Sequence, residues 1–229
     1  MTVLSARLSA IADLCPPGRT VADIGSDHAL LPLALLRSGR APRVIAVDLS
    51  PGPVAQLRAL AHRHAGLEAR AGDGLAPLRP GEAATLVLAG MGGRLIARIL
   101  SAAPAVVAAA ERLILQPNED LMWLRGALAE LGLALVDQRF TVERGRCFFT
   151  DAWAPTAAPA PSLSGADALV GPVLLAAPSE GLREGLLTFL RDEEARLQAI
   201  LAKVGQLRPE GAARLVAVRA ALGRIDGRT

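Results

Sequence analysis

Apolar residues recur along this chain at two spacings, and the alternation between them lays out the fold. Leu4, Leu8, Ile11 and Leu14 follow a three-to-four spacing, which predicts an amphipathic helix over 3–14 that Pro16, Pro17 and Gly18 end. Val21, Ala22 and Ile24 then make a short apolar run with a turn at Gly25, and 29–36 resumes as an apolar helix. The unit repeats. Residues 43–48 (R-V-I-A-V-D) predict a second strand, 51–65 a helix, 67–71 a third strand, 84–89 a fourth, 94–100 a helix, 112–116 a fifth strand and 121–131 a helix. Two final strands, 133–142 and 146–153, are expected on either side of a turn at 143–145. Strands that alternate with helices predict an α/β fold built on a mostly parallel sheet.

The pattern changes after residue 153. Residues 154–164 (A-P-T-A-A-P-A-P-S-L-S) have no periodicity and read as a linker. Leu182, Leu186, Leu190, Leu197, Leu201 and Val204 form one helical stripe over 182–204. Residues 205–209 break it, and Leu215, Val218, Leu222 and Ile225 form a second. Two stripes joined by a short turn predict an antiparallel helical hairpin of coiled-coil type. The organisation is thus a domain over 1–153, a linker over 154–164 and a helical C-terminal region over 165–229. The hairpin serves either as a packing or dimerising arm or as a grip on RNA, and a monomer or weak homodimer is expected.

Composition narrows the setting. No apolar run approaches the length of a membrane span, so no membrane association is expected. Residues 1–15 are interrupted by Arg7 and Asp13 and do not read as a signal peptide. Cys15 and Cys147 are too few and too far apart for a disulfide scaffold or a zinc site. His62 and His64 have no acid or cysteine at ligand spacing and read as surface residues, so no metal is expected. Together these features point to a cytoplasmic protein. The net charge is only +3, but 37–70 holds six arginines against two acids, and 203–229 holds six cations against two acids. Two basic regions suit a polyanionic partner, or equally an arginine-rich solvated surface. The absence of tyrosine leaves few rings on which bases could stack.

Candidate chemistry concentrates in 21–32, V-A-D-I-G-S-D-H-A-L-L-P. A strand, a glycine turn and a helix are how an α/β sheet builds a nucleotide site. The dinucleotide fingerprint G-x-G-x-x-G is broken here, because counting from Gly25 its second and third glycine positions hold Asp27 and Leu30. A carboxylate repels a pyrophosphate but suits S-adenosyl-L-methionine, which carries a sulfonium and an ammonium and no phosphate. Asp27 serves alternatively as a helix cap. Asp48, 23 residues beyond Gly25, ends the second strand, where an acid accepts hydrogen bonds from ribose hydroxyls; a cap before Pro51 is the alternative. Asp73, in Gly72-Asp73-Gly74, could meet an adenine amino group. Gly90, Met91, Gly92 and Gly93 follow the fourth strand and let backbone come close to a ligand or a reacting base. Met91 lines an apolar slot there or simply packs. Asn118 reads as the start of the helix over 121–131.

These motifs, D-I-G-S-D-H-A-L-L-P, G-D-G-L at 72–75, A-G-M-G-G at 89–93 and L-I-L-Q-P-N at 113–118, resemble the bacterial tRNA (adenine-22-N1)-methyltransferase family in order and spacing. Gly171-Pro172 also matches. The resemblance covers 5–153 strongly and 165–205 loosely. It implies a Rossmann-like class I methyltransferase with a seven-stranded, mostly parallel sheet whose last strand is antiparallel, followed by the helical region. It further implies methylation of N1 of a D-loop adenosine in tRNA. Carried over by motif, Asp23, Gly25, Asp27, His28, Asp48, Asp73, Gly74 and Gly90 surround S-adenosyl-L-methionine. Gly90, Met91 and Gly92 approach the target base. The place of Asp27 in the first-strand turn, facing the fourth-strand glycines, makes it the expected carboxylate that assists catalysis. The family's aromatic-glutamate pair in the last strand is replaced by Phe149-Thr150. A methyltransferase for a small molecule or protein, a nicotinamide oxidoreductase and a catalytically silent RNA-binding module are the competing readings.

Overall fold

The computed structural model describes residues 4–158, 163–176 and 178–227. Residue 3 of the first expected helix and 159–162 of the expected linker lie outside the described residues. Helix α1 (Ala6–Leu14) begins where the Ser5 hydroxyl accepts the Leu8 N–H. Strands β1 (Val21–Ile24), β2 (Val44–Asp48) and β3 (Leu67–Ala71) alternate with α2 (Leu30–Arg37) and α3 (Pro51–Ala61). Then come β4 (Thr85–Gly92), α4 (Gly93–Ser101), α5 (Pro104–Ala108), β5 (Arg112–Glu119), α6 (Leu121–Glu130), β6 (Leu133–Glu143) and β7 (Arg146–Pro155).

The seven strands form one sheet in the order β3-β2-β1-β4-β5-β7-β6. All neighbours pair in parallel except β7, which is antiparallel to both β5 and β6. The hairpin of β6 and β7 turns through Arg144 and Gly145, both at positive φ. Chain order reverses at β1, flanked by β2 and β4, so the carboxyl ends of these strands frame a crevice.

Strands buried on both faces need apolar residues at every position. In β1, Val21 joins a core with Ile11, Leu35, Val44 and Val87, while Ala22 and Ile24 join the opposite core with Ile45, Leu86, Ile96 and Trp153. Each such buried aliphatic side chain contributes roughly 1.5–3 kcal/mol. The expected helix over 51–65 stops at Ala61, and the expected strand over 84–89 runs on to Gly92. The extension is irregular: the register with β5 shifts between Ala89 and Met91 and again between Met91 and Gly92. The glycines therefore bulge the strand instead of ending it.

The C-terminal region holds α7 (Gly165–Leu169), α8 (Pro172–Ala176), α9 (Glu180–Val204) and α10 (Pro209–Asp226). The short α5, α7 and α8 are too brief to show a sequence period. Arg183 donates to the Ile225 carbonyl, and Glu193 pairs with Arg214. As one helix advances the other retreats, so α9 and α10 run antiparallel. Their buried faces, with Leu186, Leu190, Leu215 and Val218, share a third core with Phe149 of β7. Phe140, Phe149 and Phe189 meet at centroid distances of 5.0, 5.2 and 6.2 Å, edge-on or tilted, and tie α9 to the end of the sheet.

A buried polar cluster makes the second tie. Arg125, fully buried on α6, grips both carboxylate oxygens of Asp151 at 2.7 Å and donates to the Ala168 carbonyl of α7 at 3.0 Å. Gln138 donates to Asp151 at 2.9 Å and accepts the Val173 N–H. Only glycine fits at 171: its φ is +106°, and an added methyl carbon would stand 2.0 Å from the Gln138 side chain. No helix among the described residues is long and apolar enough to cross a membrane.

Candidate active site

The crevice is built from the ends of β1 to β4. Gly25 takes φ +75°, a left-handed turn that brings its own N–H and that of Ser26 onto the Val47 carbonyl of β2, at 2.8 and 3.1 Å. Asp27 and Ala29 also have positive φ, so the turn stays tight up to the first residue of α2. Ala29 occupies the cap position, and no side chain caps α2. Asp27 is therefore free of the capping role and is exposed, as is His28, whose Nε2 lies 3.4 Å from Asp27 Oδ2.

Asp48 sits at the end of β2, half-buried. Its Oδ2 accepts the Asp27 N–H at 3.3 Å and its Oδ1 accepts the Ser50 N–H at 2.9 Å. The cap position of α3 is Ser50, not Asp48, and no side chain caps the helix. A carboxylate has about four acceptor positions, so both oxygens keep capacity for further donors. Gly72 donates to the Asp48 carbonyl at 3.0 Å, which brings the loop after β3 alongside. In that loop Asp73 is exposed and borders a cleft of about 280 Å³ that Ile99 and Arg98 of α4 also line. Gly74 lies against Ile99, and an added methyl carbon would come within 2.7 Å of it. The structure thus gathers Asp27, Asp48 and Asp73 on the ends of three neighbouring strands.

Asp23 differs from these. It is 7% exposed beneath the turn and accepts the Ser26 hydroxyl at 2.6 Å. Burial pushes its carboxyl up to about 6, with the Ser26 bond and Arg7 opposing and Asp48 adding to the rise.

The end of β4 closes the crevice. Met91 lies over the β1 turn: a methyl carbon placed on Gly25 would meet its Cε at 3.3 Å. Side-chain contacts that the sequence pattern does not report hold this segment. Asn118 Nδ2 donates to the Gly90 carbonyl at 2.8 Å, and the cap position of α6 falls to Asp120, whose side chain makes no cap bond, not to Asn118. Gln116, fully buried, donates to Asn118 Oδ1 and accepts from Arg7 Nη1 at 2.8 Å. Arg7, from α1, stands beside Gly90 and 5.7 Å from the Phe148 ring. Arg7 and Gln116 are 109 positions apart, and no local pattern reports a contact at that separation. Among the described residues no group of three or more His, Cys, Asp or Glu side chains gathers at metal-binding geometry.

The arrangement offers hydrogen-bond acceptors and negative charge to a ligand, with bare backbone at Gly25 and Gly90 and a thioether between them. It suits a cation bearing hydroxyls and suits a pyrophosphate poorly. Comparison with known proteins gives the same class. Residues 4–150 match the family described as Methyltransferase domain. The tRNA (adenine(22)-N(1))-methyltransferase of Bacillus subtilis (strain 168) is 38% identical over 148 residues, which are 63% of this chain and 62% of that protein; the match thus spans under two thirds of the relative. A Streptococcus pneumoniae protein, a candidate tRNA (m1A22) methyltransferase, is 30% identical in its crystal structure, with TM-score 0.83 over 96% of this chain and all of that one. It has also been solved with S-adenosyl-L-methionine bound. The Bacillus subtilis m1A22 tRNA methyltransferase TrmK is 30% identical, with TM-score 0.79 over 99% of both chains.

Proposed function

The chain belongs to the Methyltransferase domain family, and from that premise we propose that it transfers a methyl group from S-adenosyl-L-methionine to N1 of adenosine 22 in the D-loop of tRNA. The observation that carries the substrate is the extent of the likeness. It runs through the sheet and the C-terminal helices of two structures described for that reaction, covering 96% and 99% of this chain. A shared sheet alone would speak only for methyl transfer.

The residues fit the cofactor. Asp48 stands where the ribose hydroxyls would bind, with lone pairs to spare. Asp73 takes the adenine amino group, with Gly74 keeping its loop against α4. The Gly25 turn, with Asp27 and His28, takes the methionine end and its cationic centres. Asp23 acts through the shape of the turn, by way of Ser26. Bound there, S-adenosyl-L-methionine supplies an electrophilic methyl group on a cationic sulfur.

This chain's own contribution is placement and charge. Gly90, Met91 and Gly92 form the wall for the target adenine, and the Asn118 bond to Gly90 fixes where that wall stands. N1 already has an in-plane lone pair, so it needs exposure more than activation. Pairing hides it, and the base must be unpaired to enter. Methylation makes the ring cationic and its N6 proton acidic. We assign the stabilising negative charge, and the acceptance of that proton, to Asp27. A tRNA substrate implies a cytoplasmic enzyme. We propose a monomer or weak homodimer, since Leu186, Leu190, Leu197, Leu215 and Val218 of the two stripes are buried within the chain's own third core.

The test is methyl transfer from labelled S-adenosyl-L-methionine to unmodified bacterial tRNA, run beside the same tRNA with guanosine at position 22. Label on the first and none on the second is the expected result. Equal label on both discards the position, and label on neither discards the substrate.

A further inference from the structure

A groove of about 1010 Å³ lies between the start of α6 and the outer turns of α9 and α10. We infer that it holds an unpaired nucleotide of the RNA substrate, with Trp123 as the platform for the base and Arg94 and Arg208 facing its phosphates. The inference rests on the tRNA reading above and extends it from the target base to the RNA beside it.

Three observations carry it. The first is the aromatic surface. Of the chain's two tryptophans and four phenylalanines, Trp153 is buried, Phe140, Phe149 and Phe189 are locked in their own cluster, and the half-buried Phe148 lies between Arg7 and Arg146. Trp123, in the first turn of α6, is 44% exposed and lines the groove, and the Arg94 guanidinium stands 4.6 Å from its ring. An exposed indole with a cation beside it suits base stacking, because every base has a π-face.

The second is charge. Most cations of this region are already used: Arg214 pairs with Glu193, Arg219 with Glu194 and Arg224 with Asp167. Arg208, at the turn between α9 and α10, is exposed and forms no ion pair among the described residues. Of the four cations that line the groove, Arg94 pairs with Asp120 and Arg196 and Arg214 with Glu193, which leaves Arg208 as the lining arginine with its charge unpaired among the described residues. The same groove exposes apolar surface at Ile200 and Val204, beyond the buried part of the α9 stripe. A nucleotide offers the matching pair, an apolar face and an anionic backbone.

The third is continuity with the crevice. Gly93 packs on the carbonyls of Glu119 and Asp120, where an added methyl carbon would stand at 2.9 and 3.0 Å. Arg94 follows directly and lines the groove, as does Asp120, to which it is tied at 3.3 Å. The groove therefore begins two residues beyond Gly92, at the wall assigned to the target adenine. An RNA strand whose adenine enters the crevice has a neighbouring nucleotide within reach of Trp123.

Trp123 also reports on itself, since the other tryptophan is sealed in the core. Titration of unmodified tRNA into the full chain is expected to quench the Trp123 emission, and the quench is expected to vanish in Trp123→Phe. In steady-state methylation, Trp123→Ala is expected to raise the KM for tRNA at least fivefold, the factor for losing about 1 kcal/mol of stacking, with kcat and the affinity for S-adenosyl-L-methionine unchanged. Trp123→Phe is expected to restore that KM. Arg208→Gln is expected to raise KM about threefold and to lower the salt dependence of binding by roughly one counterion. If wild-type protein methylates tRNA but shows no quench and the Trp123→Ala KM is unaltered, the groove inference falls and the enzymatic reading stands. A Trp123→Ala change that alters only the oligomeric state overturns it in favour of a second copy of the chain. If wild-type protein methylates no tRNA at all, the underlying reading falls instead.

Discussion

The four acids near the crevice are all aspartates, put to different use by burial. Asp23, sealed under the turn, has its carboxyl raised to about 6, while Asp27 is exposed on the same turn. Between pH about 4 and 6 the folded chain holds the Asp23 proton more tightly than the unfolded chain does. Asp23 therefore takes stability away as pH rises through that window, by at most ~3 kcal/mol. Thermal melts should show wild type losing ground to Asp23→Asn from pH 4 to 7, and parallel melting curves across that range would mean that Asp23 is not the group responsible. For Asp27 the expectation concerns turnover. Asp27→Asn keeps size and removes charge, so kcat should fall about 100-fold or more while the affinity for S-adenosyl-L-methionine changes less than about fivefold. Isothermal titration beside single-turnover methylation separates the two effects, and equal losses in both would make Asp27 a binding residue only.

At the scale of elements, the hairpin of α9 and α10 is joined by charge as well as by leucines. Glu193 is 9% exposed and takes Arg196 from its own helix at 2.8 and 2.9 Å as well as Arg214 from α10. The Arg196 bond first, then Arg214, lowers its carboxyl to about 2. A lowered carboxyl stabilises the fold above its unfolded value near 4.5 and loses that contribution as pH falls toward 2. Glu193→Gln should therefore cost about 1–2 kcal/mol at pH 7, with variant and wild type converging as pH drops below about 4. Chemical denaturation at pH 7 and pH 3 tests this, and an unchanged difference at the lower pH would assign the effect to packing. The bulged end of β4 is the other informative element. Its glycines marked a strand terminus by composition, yet pairing with β5 continues through Gly92. Backbone partners on β5, which no local pattern reports, kept the segment extended.

At the scale of the whole molecule, the sheet and the C-terminal helices share the core around Phe149 and the buried Arg125, Asp151 and Gln138 cluster. Ending the chain at residue 158 removes the Ala168 carbonyl from Arg125 and uncovers Phe140 and Phe149. Losing one hydrogen bond from a buried charge costs about 1.5–3 kcal/mol, and baring the two rings adds to it, together a large share of the stability of a domain this size. The shortened chain should melt at least 10 °C lower or aggregate on expression. A soluble product with the melting temperature of the full chain would show that the sheet stands alone. Charge is also decided at this scale. Of the six arginines over 37–70, Arg43 and Arg70 are paired with Glu68 and Glu82, and Arg40 is held by the Cys15 and Asp13 carbonyls.

Sequence by itself determined the order of strands and helices, the seven-stranded α/β plan once the motifs were matched, and the acids that follow β1, β2 and β3. Each of these is local: a period of two or 3.6 records which face is buried, and a residue just after a parallel strand comes to the same edge of the sheet whatever surrounds it. Tertiary structure alone decided that Arg7, Gln116 and Asn118 hold Gly90, that Arg125 is buried on Asp151, and that Arg196, Arg214, Arg219 and Arg224 are paired while Arg208 is not. It also decided that the last turns of the α9 stripe face a groove instead of a core. These depend on side chains that lie far apart in the chain, and pairing at such separation leaves no mark on local hydrophobic pattern or on a count of charges.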